Sequence, residues 1–164
     1  MICPSGTSGE RIKGIKLSHT NLNYHIVFST KGRKGFFDEQ KMHRLCEYTA
    51  GIVRNLKCKL YIANGPADHI HIFTSIHPQV SVADFVRTIK SNTSRWMHES
   101  FKDMEGFAWQ DGYSAFTVSY SGLDKVADYI KGQVEHHKTV SFEEELASFL
   151  KKHNIDFDPK YITG

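Results

Sequence analysis

Nothing in the 164 residues comes near the ~18 consecutive apolar positions that a membrane-spanning helix needs. No apolar core of a secretory signal follows Met1. CxxC pairs are absent, and the 3 cysteines (Cys3, Cys46 and Cys58) cannot all pair within one chain. That argues against a disulfide-stapled secreted scaffold and for a reducing, cytoplasmic setting. A phosphate-cradling P-loop is missing, as are internal repeats and low-complexity tracts. An excess of one charge is nearly missing too. Lysine and arginine number 21 against 18 acids, a net charge of +3, which permits a nucleic-acid partner without requiring one.

What the chain does have is histidine, 10 in all, and a length that fits one domain with its own core. Pro4, Gly6, Gly9 and Gly14 mark residues 1–17 as a flexible extension, leaving 18–164 as a single domain. Thr20 to Ser29 alternates, with Leu22, Tyr24, Ile26 and Phe28 on one face, as a half-buried strand does. A basic turn, Lys31 to Gly35, leads to a helix over Asp38 to Asn55. Short strands come next at Lys59–Ala63 and His69–Ile76. Ser81 with Asp84 caps a helix running to Phe101, on which Val82, Phe85, Val86, Ile89, Thr93, Trp96 and Met97 form one stripe. After a strand at Tyr113–Tyr120, Ser121 with Asp124 predicts the start of a helix continuous to Lys138. Ser141 with Glu144 opens another, ending near His153. This order predicts an α+β, ferredoxin-like (RRM-like) split βαβ antiparallel sheet with helices on one face plus a C-terminal tyrosine-bearing helix.

Two places carry candidate chemistry. In Asp68-His69-Ile70-His71-Ile72, residues two apart point the same way, so both imidazoles share a face while the isoleucines enter the core. Such a pair is either a platform for a divalent cation or two histidines on a sheet surface. The chain is too short for the (β/α)₈ barrels that use HxH, and too helical for cupins. On the helix after the last strand, Leu123, Val126, Ala127, Ile130 and Val134 form the core face. Tyr129, Gln133 and His136 make a polar stripe at i, i+4 and i+7. A phenol beside a metal-polarised phosphate is a competent nucleophile. The alternative is a tyrosine packed on its own helix. Gly132 interrupts this stretch and marks a flexible point or a close backbone approach.

These stretches together resemble the single-tyrosine HUH transposases of the insertion-sequence-200/605 type. The matching segments are Asn23 to Lys31, Asp68 to Ile72, Val82 to Trp96, Trp109 to Ser119, and Tyr129 through Gln133 to Phe142. The chain departs from the family's usual pattern at Ser114, Gly132 and Val134. The resemblance implies a metal-dependent enzyme that cleaves and rejoins single-stranded DNA through a 5′-phosphotyrosine and recognises hairpins at element ends. It implies that His69, His71 and Gln133 hold Mg²⁺ or Mn²⁺, that Tyr129 is the nucleophile, and that a homodimer forms in which Tyr129 can act in trans. Lys31, Arg33 and Lys34 in the basic turn, and Arg87, Lys90 and Arg95 off the apolar stripe of their helix, are candidate DNA contacts. His136 is a possible site-lining residue, and His25, facing away from the core side of its strand, is expected not to contact DNA. Two alternatives remain: a domesticated palindrome-processing nuclease, and a non-catalytic single-stranded nucleic-acid binding module, although no RNP aromatic signature is present.

Overall fold

The structure, a computed structural model, describes residues 18–162. The extension expected at residues 1–17 lies outside them. Four strands, β1 (Asn23–Ser29), β2 (Lys59–Asn64), β3 (His69–Ser75) and β4 (Ser114–Thr117), form one antiparallel sheet in the order β2-β3-β1-β4. That is the strand order of the expected split βαβ arrangement.

One face of this sheet carries α1 (Glu39–Asn55) and α2 (Val82–Ser100). Ile26, Phe28, Ile70 and Ile72 point into this layer and meet Met42, Leu45, Ile52 and Val53 of α1, with Phe85, Val86 and Ile89 of α2. Both helices begin where the chain supplies a side-chain oxygen for the free N–H groups of the first turn. Asp38 accepts from the Lys41 N–H, and Ser81 accepts from the Asp84 N–H. Trp109 closes one end of this core and donates its Nε1–H to Thr93 Oγ1 at 3.0 Å, while Trp96 stacks on Tyr48.

Alternation along β1 predicts a half-exposed opposite face, and the structure differs. Asn23, His25 and Val27 on β1 and His69 and His71 on β3 are all buried. The chain after β4 covers them. Helix α3 (Leu123–Lys131), one turn designated α4 (Gln133–His136), and α5 (Phe142–Lys152) fold back over the sheet. There Phe142 and Leu146 pack on Val27 and Phe116.

Two local expectations for this cover are corrected. Ser121 with Asp124 does not cap α3. Ser121 lies in a 3₁₀ turn, and the N-cap position falls on Gly122 without a side-chain bond. The helix expected to run to Lys138 ends instead at Lys131. Gly132 is a poor helix former, and Asn64 Nδ2 donates to the terminal carbonyl of Ile130 at 3.1 Å, satisfying a group that a continuing helix would have used. This break rotates the next turn of chain. Gln133 is buried, and Val134, expected in the core, is 55% exposed. The third cap forms as expected: Ser141 and Glu144 make both halves of a capping box at the start of α5.

Candidate active site

The pair on β3 is built by strand register. Val27 stands opposite His71 and Ser29 opposite His69, so both imidazoles project onto the second face of the sheet while Ile70 and Ile72 anchor the first. Gly65 shapes the turn ahead of this strand. A Cβ there would lie 2.1 Å from the His69 carbonyl oxygen, so only glycine permits the approach. Asp68 Oδ1 takes the Nδ1–H of His69 at 2.8 Å, which leaves Nε2 as the lone-pair nitrogen.

Helix α3 brings Tyr129 to the same place, α4 brings Gln133, the turn after it brings His137, and α5 brings Glu145. The Tyr129 hydroxyl donates to Glu145 Oε1, and Gln133 Nε2 donates to that oxygen at 3.0 Å. The other carboxylate oxygen, Oε2, lies 3.0 Å from His137 Nε2 and 3.5 Å from His71 Nε2. His69 Nε2 is 3.0 Å from His137 Nε2. His69, His71, His137 and Glu145 each offer a ligand atom, all within 4.8 Å of one another, a grouping able to hold a metal ion. Two buried polar atoms of the site lack hydrogen-bond partners, His71 Nε2 and Gln133 Oε1. Unpaired buried groups are costly, and each of these lone pairs is of a kind that can ligate a cation.

The electrostatics of His69, His71 and Glu145 suit ligation, which requires neutral imidazoles and an ionised carboxylate; His137 would release a proton on ligating. Burial, with the neighbouring imidazoles, holds His69 down to about 4 against an opposing bond to Asp68. Burial likewise lowers His71. His25, which is 3% exposed and hydrogen-bonded through Nε2 to His71 Nδ1 at 2.8 Å, is held down to about 3 by burial and by His71. Burial opposes ionisation of Glu145, but His137, His71 and Tyr129 facing its oxygens outweigh it and keep the carboxyl below its usual range. For His137 burial is likewise outweighed, here by Glu145, and the imidazole is raised. Burial and Glu145 push the Tyr129 phenol up, so it is protonated and donating at neutral pH.

The fold thus brings together His69, His71, Tyr129 and Gln133. His136 sits at the rim, its ring 5.3 Å from that of Tyr129 and its side chain 32% exposed. The basic candidates scatter. Lys31 and Lys34 are exposed, but Arg33 is committed internally, bridging Asp68 at 3.1 Å and Glu143 while lying over the Phe142 ring. Lys90 is also engaged, donating to the carbonyls of Gln110 and Gly112 over the ring of Phe28. Arg87 pairs with Asp84 and Arg95 contacts Asn92, both exposed on α2 and across the sheet from the histidines.

His25, His137 and Glu145 escaped sequence reasoning. For His25 a signal existed, since it shares a face with Val27 and the ferredoxin-like order makes β1 and β3 neighbours. Glu145 stands in a run of acids beside its cap, where nothing local distinguishes it.

Comparison with known proteins decides the family. The family described as "Transposase IS200 like" matches residues 18–133. The chain belongs to the IS200-like transposases. Transposases for insertion sequence element IS200 from Salmonella typhimurium and Salmonella typhi are each 33% identical over 136 residues, covering 74% of this chain and 84% of theirs. The ISDra2 transposase TnpA of Deinococcus radiodurans is 24% identical over 117 residues, covering 68% of this chain and 84% of its own. Among solved structures, a putative transposase from Deinococcus radiodurans superposes with a TM-score of 0.60 at 23% identity, covering 75% of this chain and 98% of the other. A REP-associated tyrosine transposase bound to a REP hairpin superposes with a TM-score of 0.56 at 15% identity, covering 82% and 76%. At those identities the two structures speak for the fold of this transposase. Among the described residues no helix is long and apolar enough to cross a membrane.

Proposed function

We propose that this transposase cleaves and rejoins single-stranded DNA through a covalent bond between the Tyr129 hydroxyl and a 5′-phosphate. The observation that carries this reading is convergence. The one tyrosine in hydrogen-bonding contact with the buried carboxylate of Glu145 stands beside the histidine pair, its ring centroid 6.2 Å from that of His71.

His69 and His71, with the unpartnered oxygen of Gln133, are the residues proposed to hold Mg²⁺ or Mn²⁺. A cation held there supplies positive charge that polarises the scissile phosphate and stabilises the charge developing on it. The rest is done by the chain. Glu145 Oε1 orients the phenol by accepting its hydrogen bond, and the phenolic proton passes to solvent as Tyr129 Oη forms its bond to phosphorus. The P–O3′ bond breaks and the departing 3′ oxygen takes a proton from solvent, leaving a free 3′-hydroxyl. Rejoining runs the same steps backwards on another 3′ end, with solvent returning the proton to Tyr129. The energy of the phosphodiester is kept in the phosphotyrosine, so no nucleotide cofactor is required.

Hairpins at the ends of a mobile element are the proposed recognition feature. A structure of similar fold is described as bound to a REP hairpin, which supports a partner of this kind. The partner subunit of the proposed homodimer would carry a second such site. Lys31 and Lys34, both exposed, are the basic residues proposed for phosphate contact.

The test is covalent trapping. End-labelled single strands from the DNA flanking the gene, each with a hairpin, are incubated with protein and Mg²⁺ or Mn²⁺ and resolved on a denaturing gel. The expected adduct requires the cation, retains the label downstream of the cut, and disappears in Tyr129→Phe. An adduct that persists in Tyr129→Phe would assign the attack to another residue.

A further inference from the structure

The carboxylate of Glu145, 4% exposed, sits among three imidazoles on a segment beyond the residues that the family match covers. Its surroundings have the spacing of a coordination sphere. His137 Nε2 is 3.0 Å from both His69 Nε2 and Glu145 Oε2, and Glu145 Oε2 is 3.5 Å from His71 Nε2 and 3.7 Å from His69 Nε2. Ligand atoms bonded to one ion at about 2.1 Å stand about 3.0 Å apart at right angles and about 3.4 Å apart at the tetrahedral angle. A second observation points the same way: His71 Nε2, on a side chain with no exposure, has no hydrogen-bond partner. A purely structural ion pair between His137 and Glu145 would leave that nitrogen unexplained.

We propose that Glu145 Oε2 and His137 Nε2 are ligands of the same divalent cation as His69 and His71, so that the helix after the tyrosine segment completes the metal centre. The inference rests on the cation assigned to this site under the proposed function and extends its ligand set. Glu145 then links two roles, with Oε2 on the cation and Oε1 held by Tyr129 and Gln133. Those two donors fix the carboxylate's orientation, as outer partners of metal ligands do. The donor set also sets a preference. Mg²⁺ takes oxygen ligands and keeps its waters, whereas three imidazoles with one carboxylate and the Gln133 amide oxygen suit Mn²⁺ or Zn²⁺.

The probe is Mn²⁺, titrated into the full chain by calorimetry and by electron paramagnetic resonance, with electron spin-echo modulation counting the coupled imidazole nitrogens. Wild type should bind Mn²⁺ in preference to Mg²⁺ and show three imidazole nitrogens. Glu145→Gln and His137→Asn should each weaken Mn²⁺ binding at least about 10-fold, and His137→Asn should show two nitrogens. Melting curves in EDTA report whether each variant is folded. Undiminished Mn²⁺ affinity in folded Glu145→Gln, with binding lost in His69→Ala, would overturn the inference and leave the histidine-pair reading standing. A wild-type count of two nitrogens would overturn it without recourse to any variant. No Mn²⁺ binding by wild type would sink both.

Discussion

Acidification should destabilise the cation-free transposase well before its carboxylates titrate, because the sheet face under α3 to α5 is lined with neutral histidines. His25 and His69 are held at about 3 and about 4, against an ordinary value of 6.5. Below pH 6.5 the unfolded chain takes up a proton at each position while the folded chain does not. Their stabilising contribution is complete above 6.5 and is lost as pH falls toward the folded values. Each site contributes about 1.4 kcal/mol per pH unit across that window, hence about 2 kcal/mol each at pH 5, or about 4 kcal/mol for the two. Burial moves His71 in the same direction. His137 is raised and returns part of the loss. Asp68 and Glu145 are lowered, so their contributions are intact above the ordinary carboxylate range and do not change between pH 7 and pH 5. Urea unfolding followed by circular dichroism in EDTA at pH 7, 6 and 5 measures this. His25→Gln should reduce the loss of stability between pH 7 and pH 5 by about 2 kcal/mol. Equal stability at pH 7 and pH 5 would refute the assignment of buried, neutral imidazoles.

Two glycines near the site should respond in opposite ways. Gly65→Ala brings a methyl group 2.1 Å from the His69 carbonyl, and the resulting backbone shift should lower the melting temperature and weaken Mn²⁺ binding together. At Gly132 a Cβ meets nothing nearer than 3.7 Å and φ is −83°, so Gly132→Ala should be neutral or stabilise by about 0.4–1 kcal/mol. A large destabilisation in chemical denaturation would show that the helix break needs glycine. Ser141→Ala removes both bonds of the Ser141 hydroxyl ahead of Glu145 and keeps the half of the capping box in which the Ser141 N–H donates to the Glu144 carboxylate. It should cost about 1 kcal/mol of stability, and an unchanged urea midpoint would mean that packing alone holds the start of α5.

Much of this protein was legible in the order of its residues because the signals are local. Alternation around His69 and His71 put both imidazoles on one face whatever that face meets, since side chains in a strand repeat every two residues. Ser81 with Asp84 and Ser141 with Glu144 announced their helices through bonds that span three residues. Tyr129 and Gln133 share a side because helical neighbours lie four apart, and Gln133 stays beside Tyr129 even though the helix breaks between them. What the tertiary structure alone decided is which distant groups meet that face. Asn64 on β2 satisfies the carbonyl of Ile130 and ends α3, which turns Val134 outward and Gln133 inward. The fold-back of α5 over Val27 and Phe116 carries Glu145 onto His71 and His137, and Arg33 onto Glu143. These contacts depend on where distant pieces of the chain dock, and docking is driven by apolar area, which has no direction that a local pattern could reveal.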